Sequence, residues 1–372
     1  MLNDCFVSYL SRDKYRRLMT EKTLISMERD RLRMKLKDEE SSLPSPDIGN
    51  SLISSDSTQS ETACYSWPLY RGPRIVTNQP SSLGVESIKT HSVSNCALSA
   101  VSSVCLYDAV IEACGGDDGA VRFINSEDSI MSPPISHSSY VASLTADRSS
   151  SIICCGTGDG HVYMHSLASN IQPTHLHCHT SAIWTIDILE HSVLTASMDH
   201  TSKIVDIESH KVKQTLKGFH SDSVNVARFW SSHTVLTGSA DKTACLWDMR
   251  SGHKVSSWYN LPSNSPIVDI ADLGRGLFAC ASMHGQIIVC DKDKVLRAFM
   301  LPSAVTRIEV LASNLVAAAC DDGTIKFLDM NRDRIDSLEI VPNGSVLNLC
   351  RRTESSITAT TNTGSLHVIH YK

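Results

Sequence analysis

A chain of 372 residues that is 41% hydrophobic and 20% charged can bury a large core, and it holds no apolar run near the roughly 18 residues of a transmembrane helix. The start, MLNDCFVSYLSRDKYRR, has neither the basic opening nor the long apolar centre of a signal peptide, and membrane insertion is not expected. A net charge of −6 argues against nucleic acid as a partner, while thirteen scattered cysteines without a CxxC read as small core residues in a reducing compartment.

Residues 8–40 contain no Gly or Pro and are rich in helix formers, which predicts a basic amphipathic, coiled-coil-like helix. Leu18, Ile25 and Leu32 repeat every seven residues, but Glu21 and Glu28 stand where a second apolar row belongs. A stripe this narrow needs a partner surface, either another protein or a second copy of the helix. Residues 12–37 carry ten Lys/Arg against four acidic residues, so the rest of the chain is strongly acidic. The helix then gives way to a Ser-rich, partly disordered linker over 41–82, in which Trp67 and Tyr70 sit between prolines in WPLYRGPRIVTNQP.

From residue 83 onward the chain repeats. The stretch TGSADKTACLWD, 237–248, pairs a turn Asp with a Trp-Asp six residues later, and equivalents of Asp241 recur at Asp118, Asp159, Asp199, His284, Asp322 and Thr363. Their spacings are 41, 40, 42, 43, 38 and 41 residues, a period that fits four short strands per unit. These seven units resemble the WD-repeat (WD40) family, which implies an all-β fold: a seven-bladed β-propeller over 83–372, preceded by the helix and linker. The seventh unit ends at its third strand, SLHVIHYK, so a strand near 85–90 is expected to close the last blade.

In the fourth unit His220, Thr237, Asp241 and Trp247 match the hydrogen-bonded tetrad of WD repeats, a structural rather than a catalytic set. The third unit keeps His179, Thr195 and Asp199 but has Val205 for Trp. The second keeps His137 and Asp159 but has Cys155 and His165, and units five to seven lack most of the set. The fourth unit is therefore expected to be the most rigid, and the last three the most easily frayed.

No GxSxG, HExxH, phosphate-binding or dinucleotide-binding motif is present, and no enzyme activity, catalytic residue or cofactor is expected. The HLHCH run at 175–179 places three histidines on alternate positions, but His179 is a tetrad residue and the other two read as solvent-facing, so no metal is expected. The residues preceding the turn position differ between units. Among them Asp117, Met198, Met283 and Asp321 read as a protein-binding rim, with Met as adaptable contact and Asp as polar anchor.

The run YRRLMTEKTLISMERDRLRMKLK, 15–37, together with the Ser-rich spacer and the repeats, resembles more narrowly the WD-repeat proteins of the axonemal central apparatus. That resemblance implies a non-catalytic scaffold of the motile cilium or flagellum, in the cytoplasm and cytoskeleton, with microtubules or central-pair proteins as partners. Two alternatives share the layout: an autophagy-type adaptor, and a cullin-RING ubiquitin ligase substrate receptor using WDMR at 247–250.

Overall fold

The computed structural model describes residues 74–75 and 84–371, apart from 107–108, 126–129, 148–151, 167–173, 252–253 and 259–263. The helix expected over 8–40, with Leu18, Ile25 and Leu32, lies outside the described residues, as does the linker apart from Arg74–Ile75.

The described residues form seven antiparallel sheets, each with at least four strands. In chain order the blades are Leu98–Ser136, Val141–His177, Ile183–Leu216, Val224–Trp258, Ile267–Met300, Val305–Glu339 and Val346–Tyr371. The last of these supplies only three strands of its sheet. Its fourth is Val85–Ser92, antiparallel to Ser365–Tyr371 with Val85 opposite Tyr371 and Ser92 opposite Ser365. The ends of the propeller region thus share one blade, and the backbone groups of Ser365–Tyr371 are not left as an open edge. Blade 5 has a fifth strand, Arg74–Ile75, parallel to Phe299–Met300.

Position in the ring explains the sequence of each strand. The second strands, such as Ile152–Thr157, Thr234–Ser239 and Leu315–Cys320, are buried at nearly every residue because a neighbouring blade covers each face. They are accordingly runs of small and apolar residues without alternation. Outer strands such as Lys211–Leu216 are mostly exposed and polar. Every first strand carries a bulge after its opening residue, seen for example between Ile183 and Thr185 and between Val224 and Val226.

First strands pack on one another around the ring, and Val346–Thr353 against Leu98–Leu106 closes it. Each interface holds one apolar cluster. Val226 and Leu236 of blade 4, for instance, meet Ile267, Ile270 and Phe278 of blade 5. Each such fully buried side chain contributes about 1.5–3 kcal/mol. Cys154 and Cys155 point into different interfaces, between blades 2 and 3 and between blades 1 and 2, and both are free thiols.

Polar ties cross the same interfaces. Asp187 of blade 3 accepts the Phe229 N–H of blade 4 at 2.9 Å, and Asp269 of blade 5 accepts the Ile308 N–H of blade 6 at 3.0 Å. Asp269 is fully buried and also meets Arg307 at 3.3 Å and Arg228 at 3.6 Å, so its charge is matched from both sides.

Candidate functional site

In blade 4 the four tetrad residues form one chain of hydrogen bonds. His220 Nδ1 lies 3.1 Å from Asp241, its Nε2 lies 2.8 Å from the Thr237 hydroxyl, and the Trp247 indole N–H donates to that hydroxyl at 2.8 Å. A carboxylate only accepts, so Nδ1 carries the proton and Nε2 accepts from Thr237. Burial alone would raise the Asp241 carboxyl, but hydrogen bonds from His220 and Thr243 outweigh it and hold it down at about 2. Blade 3 repeats the set without an indole: His179 bonds Asp199 at 2.8 Å and Thr195 at 2.7 Å, and the Thr195 hydroxyl lies 3.1 Å from the Lys203 carbonyl. Both sets tie a loop to its sheet through a buried histidine.

Two positions define the interior of every blade, that of Thr237 and that of Trp247. Across blades 1–7 the first holds Cys114, Cys155, Thr195, Thr237, Cys280, Ala318 and Ala359, and the second holds Ile124, His165, Val205, Trp247, Cys290, Leu328 and Ile369. All fourteen are buried. In blade 2 the loop histidine has turned away from its usual acid. His137 Nδ1 donates to the Gly119 carbonyl at 3.0 Å, whereas Asp159 takes Ser138 at 2.8 Å and Thr157 at 2.6 Å. His137 Nε2 faces His165 Nε2 at 3.0 Å and Cys155 Sγ at 3.5 Å. Burial, then the adjacent His137, pull the His165 imidazole down to about 4.

The rim lies at the same end of the strands as the turn Asp residues. At seven equivalent places a backbone N–H donates to the residue that precedes the first strand. The pairs are Asp117 to Ala97, Gly158 to Tyr140, Met198 to Ala182, Ala240 to Ser223, Met283 to Pro266, Asp321 to Ala304 and Asn362 to Ser345, all at 2.9–3.1 Å. Backbone geometry is thus constant while the side chains differ. Met283 is 38% exposed, Asp321 is exposed, and Asp117 and Met198 are half-buried. Asp117 also accepts a hydrogen bond from Ser99 at 2.5 Å, which fixes its carboxylate.

Two aromatic residues of this face escape sequence reasoning. A Cβ on Gly158 would sit 2.1 Å from the Tyr140 ring, so the glycine marks a place that an aromatic side chain covers. Trp184, half-buried and two residues past the rim acceptor Ala182, reaches across to blade 4 and donates to Ser223 at 3.1 Å.

Elsewhere the candidate motifs resolve into local structure. His175 and His177 are exposed on an outer strand against His161, while His179 points inward, so the HLHCH histidines do not converge. In WDMR the Arg250 guanidinium folds back on Asp248, with contacts of 3.1 and 3.0 Å. No helix among the described residues is long and apolar enough to cross a membrane.

The sequence profile of the "WD domain, G-beta repeat" family matches residues 210–248, the unit with the complete tetrad. The fold is similar to that of the WD40 beta propeller domain of Doa1, with a TM-score of 0.68 and 19% identity over 77% of this chain and 96% of that one. The chain is a seven-bladed β-propeller with a WD-repeat match in its fourth blade. Among curated proteins this chain is similar to the WD repeat-containing protein 55 homolog of Drosophila ananassae, 26% identical over 127 residues that cover 33% of this chain and 26% of that protein. It is also similar to Protein tipD of Dictyostelium discoideum, 25% identical over 143 residues covering 38% and 23% of the two chains. THO complex subunit 6 of Arabidopsis thaliana is 42% identical over 69 residues, 18% of each chain. The matches span about a quarter of these relatives' own length.

Proposed function

We propose that this propeller is a non-catalytic scaffold that holds a partner protein on the face ringed by Asp117, Met198, Met283 and Asp321. One observation carries the reading: seven rim positions share the same backbone hydrogen bond yet present seven side-chain environments, two acidic, two thioether, one aromatic-covered and the remaining two small or amide. Constant backbone with varied side chains gives specificity without altering the frame. The partner segment that fits is basic and apolar, since the carboxylates of Asp117 and Asp321 flank methionine and tyrosine contacts.

Photo-crosslinking tests it directly. A benzoyl-phenylalanine placed at Met283 is expected to capture a partner that the same group at Val255, exposed on the outer strand of blade 4, does not. Capture at Val255 alone would refute the rim. Changing Asp321 to Lys should weaken that capture, by about tenfold or more if its charge is desolvated on binding.

The finer placement in the motile cilium, with microtubules or central-pair proteins as partners, rests on the wording of residues 15–37 and on their basic charge. The named relatives carry other names. Tagging the full chain in a ciliated cell tests it, and a signal confined to cytosolic vesicles would overturn it. A ligase role through WDMR gains no support from the geometry, because Arg250 is already paired with its own Asp248.

A further inference from the structure

In blade 2 the side chains at the tetrad places are all of metal-ligating type. His137 comes from the loop before the blade, Cys155 from the second strand Ile152–Thr157 and His165 from the third strand His161–Ser166. The second and third are fully or almost fully buried, and the three donor atoms all lie within 4.8 Å of one another. An ion held tetrahedrally at ordinary zinc bond lengths needs its nitrogens about 3.3 Å apart and nitrogen to sulfur about 3.6 Å. The corresponding separations are 3.0 Å between the two Nε2 atoms and 3.5 Å from His137 Nε2 to Cys155 Sγ, each within a few tenths of an ångström of these lengths, and the third pair lies within 4.8 Å.

A second observation concerns how His137 is aimed. Its Nδ1–H is held by the Gly119 carbonyl at 3.0 Å, which fixes the tautomer and turns the Nε2 lone pair toward Cys155 and His165. Metal-binding histidines are oriented by a carbonyl or carboxylate on the far nitrogen in this way. In blades 3 and 4 the same nitrogen is bound to the turn Asp, whereas in blade 2 that residue, Asp159, is engaged by Ser138 and Thr157.

Hydrogen bonding serves the thiol of the cluster only weakly. Cys155 S–H and His165 Nε2–H both face the single lone pair of His137 Nε2, and the other acceptor near the thiol, the Tyr163 carbonyl, is 3.9 Å away. If His165 carries its proton on Nδ1 instead, two nitrogen lone pairs meet at 3.0 Å. A cation at the centre would satisfy all three donor atoms in either case.

We propose that His137 Nε2, Cys155 Sγ and His165 Nε2 bind one divalent ion of the zinc class. Borderline-soft ions suit a donor set of two imidazoles and a thiolate, and the remaining coordination position is left for a water molecule. On binding, the thiol proton leaves to the buffer and the sulfur–metal bond forms without any change in oxidation state. The ion would join loop, second strand and third strand, the three elements that the tetrad of blade 4 joins through His220, Thr237 and Trp247.

Cobalt(II) serves as the probe. The full chain, treated with chelator and kept reduced, is titrated with cobalt. The expected result is one equivalent bound, with tetrahedral d–d bands in the visible and a thiolate-to-cobalt charge-transfer band in the near ultraviolet, both abolished by zinc. Cys155→Ser should lose the charge-transfer band, and His165→Gln should lose tight binding. Cys154→Ser, which alters the thiol facing the opposite interface, should keep both bands. The double variant His175→Gln/His177→Gln removes the exposed histidines of the same blade and should also keep them. Absence of the charge-transfer band in the unmodified protein would overturn the site whatever the variants do. So would its persistence in Cys155→Ser or its loss with His175 and His177, with folding of each variant checked by circular dichroism.

Discussion

Replacing Thr237 by Val keeps shape and removes one hydroxyl, and the structure sets what that costs. The hydroxyl accepts from the Trp247 indole at 2.8 Å and donates to His220 Nε2 at 2.8 Å. The residue is fully buried, so water does not replace it, and two polar groups are left without a partner. At about 1–3 kcal/mol for each orphaned group, the loss is about 2–6 kcal/mol. Blade 3 supplies the control, because Val205 stands where the indole would be: Thr195→Val orphans one imidazole nitrogen and weakens one carbonyl contact, about 1–3 kcal/mol. Urea midpoints followed by circular dichroism should therefore place Thr237→Val below Thr195→Val by about 1–3 kcal/mol. In Thr237→Val/Trp247→Phe the indole N–H is gone as well, and the pair should cost less than the sum of its single variants. If Thr195→Val is as harmful as Thr237→Val, or the double variant is simply additive, the hydrogen-bond chain is not what holds blade 4.

Two carboxylates should report in opposite pH directions. The Asp241 carboxyl is held down at about 2, so its stabilisation is present above about pH 4 and is lost as pH falls through 2. Asp241→Asn should thus cost about 1–2 kcal/mol at pH 7, with the difference from the unmodified protein closing in acid; a gap that persists at pH 2 would contradict it. Burial, aided by Asp269 and opposed by Arg228, pushes Glu309 up to about 7, so ionising it is a penalty that is absent below about pH 4 and grows until pH 7. Glu309→Gln is expected to raise stability at pH 8 by about 1–2 kcal/mol, discounted for partial exposure, and to change little at pH 4; equal effects at both would refute the assignment. A chain begun after Ser92 leaves Ser365–Tyr371 as an open edge, and should elute as oligomers with a lower melting temperature; an unaltered monomer would show that Val85–Ser92 is dispensable.

The blades are legible in the sequence because each turn must reverse the chain tightly after a buried strand. That requirement keeps Asp or a substitute at a period near 40 even where the rest of the motif has changed, as at His284 and Thr363. The blade-4 tetrad is legible for the same reason, since a buried indole needs a partner. The blade-2 cluster is not, because its residues stand 18 and 10 positions apart on a loop and two strands, and only the sheet diagonal brings Cys155 beside His165. Tyr140 is hidden differently: its place on the rim depends on the missing side chain of Gly158, and a glycine in a strand-end turn reads first as a turn residue. The paired charges of Arg228, Asp269 and Arg307 come from three blades and become neighbours only when the ring forms.

Loss of the tetrad from blades 5–7 need not weaken them. The penalty for a broken hydrogen-bond chain arises when one partner is removed and the other stays buried, whereas replacing both with apolar groups is close to neutral. Blades 6 and 7 show the second situation: Ala318 with Leu328 and Ala359 with Ile369 fill the two interior positions, and each is at most 1% exposed. Blade 5 places two thiols there, Cys280 and Cys290, which need little from their surroundings. Leu328 packs in one cluster with Phe299, Leu301 and Ile308, and Ile369 in the next with Phe327, Leu349 and Tyr371. Blade 2 is the exception, because it has exchanged the hydroxyl and the indole for a thiol and an imidazole while keeping the loop histidine. That combination is neither an intact chain nor an apolar replacement: it sets two imidazole nitrogens 3.0 Å apart and leaves the thiol only long contacts, 3.5 Å to His137 and 3.9 Å to the Tyr163 carbonyl.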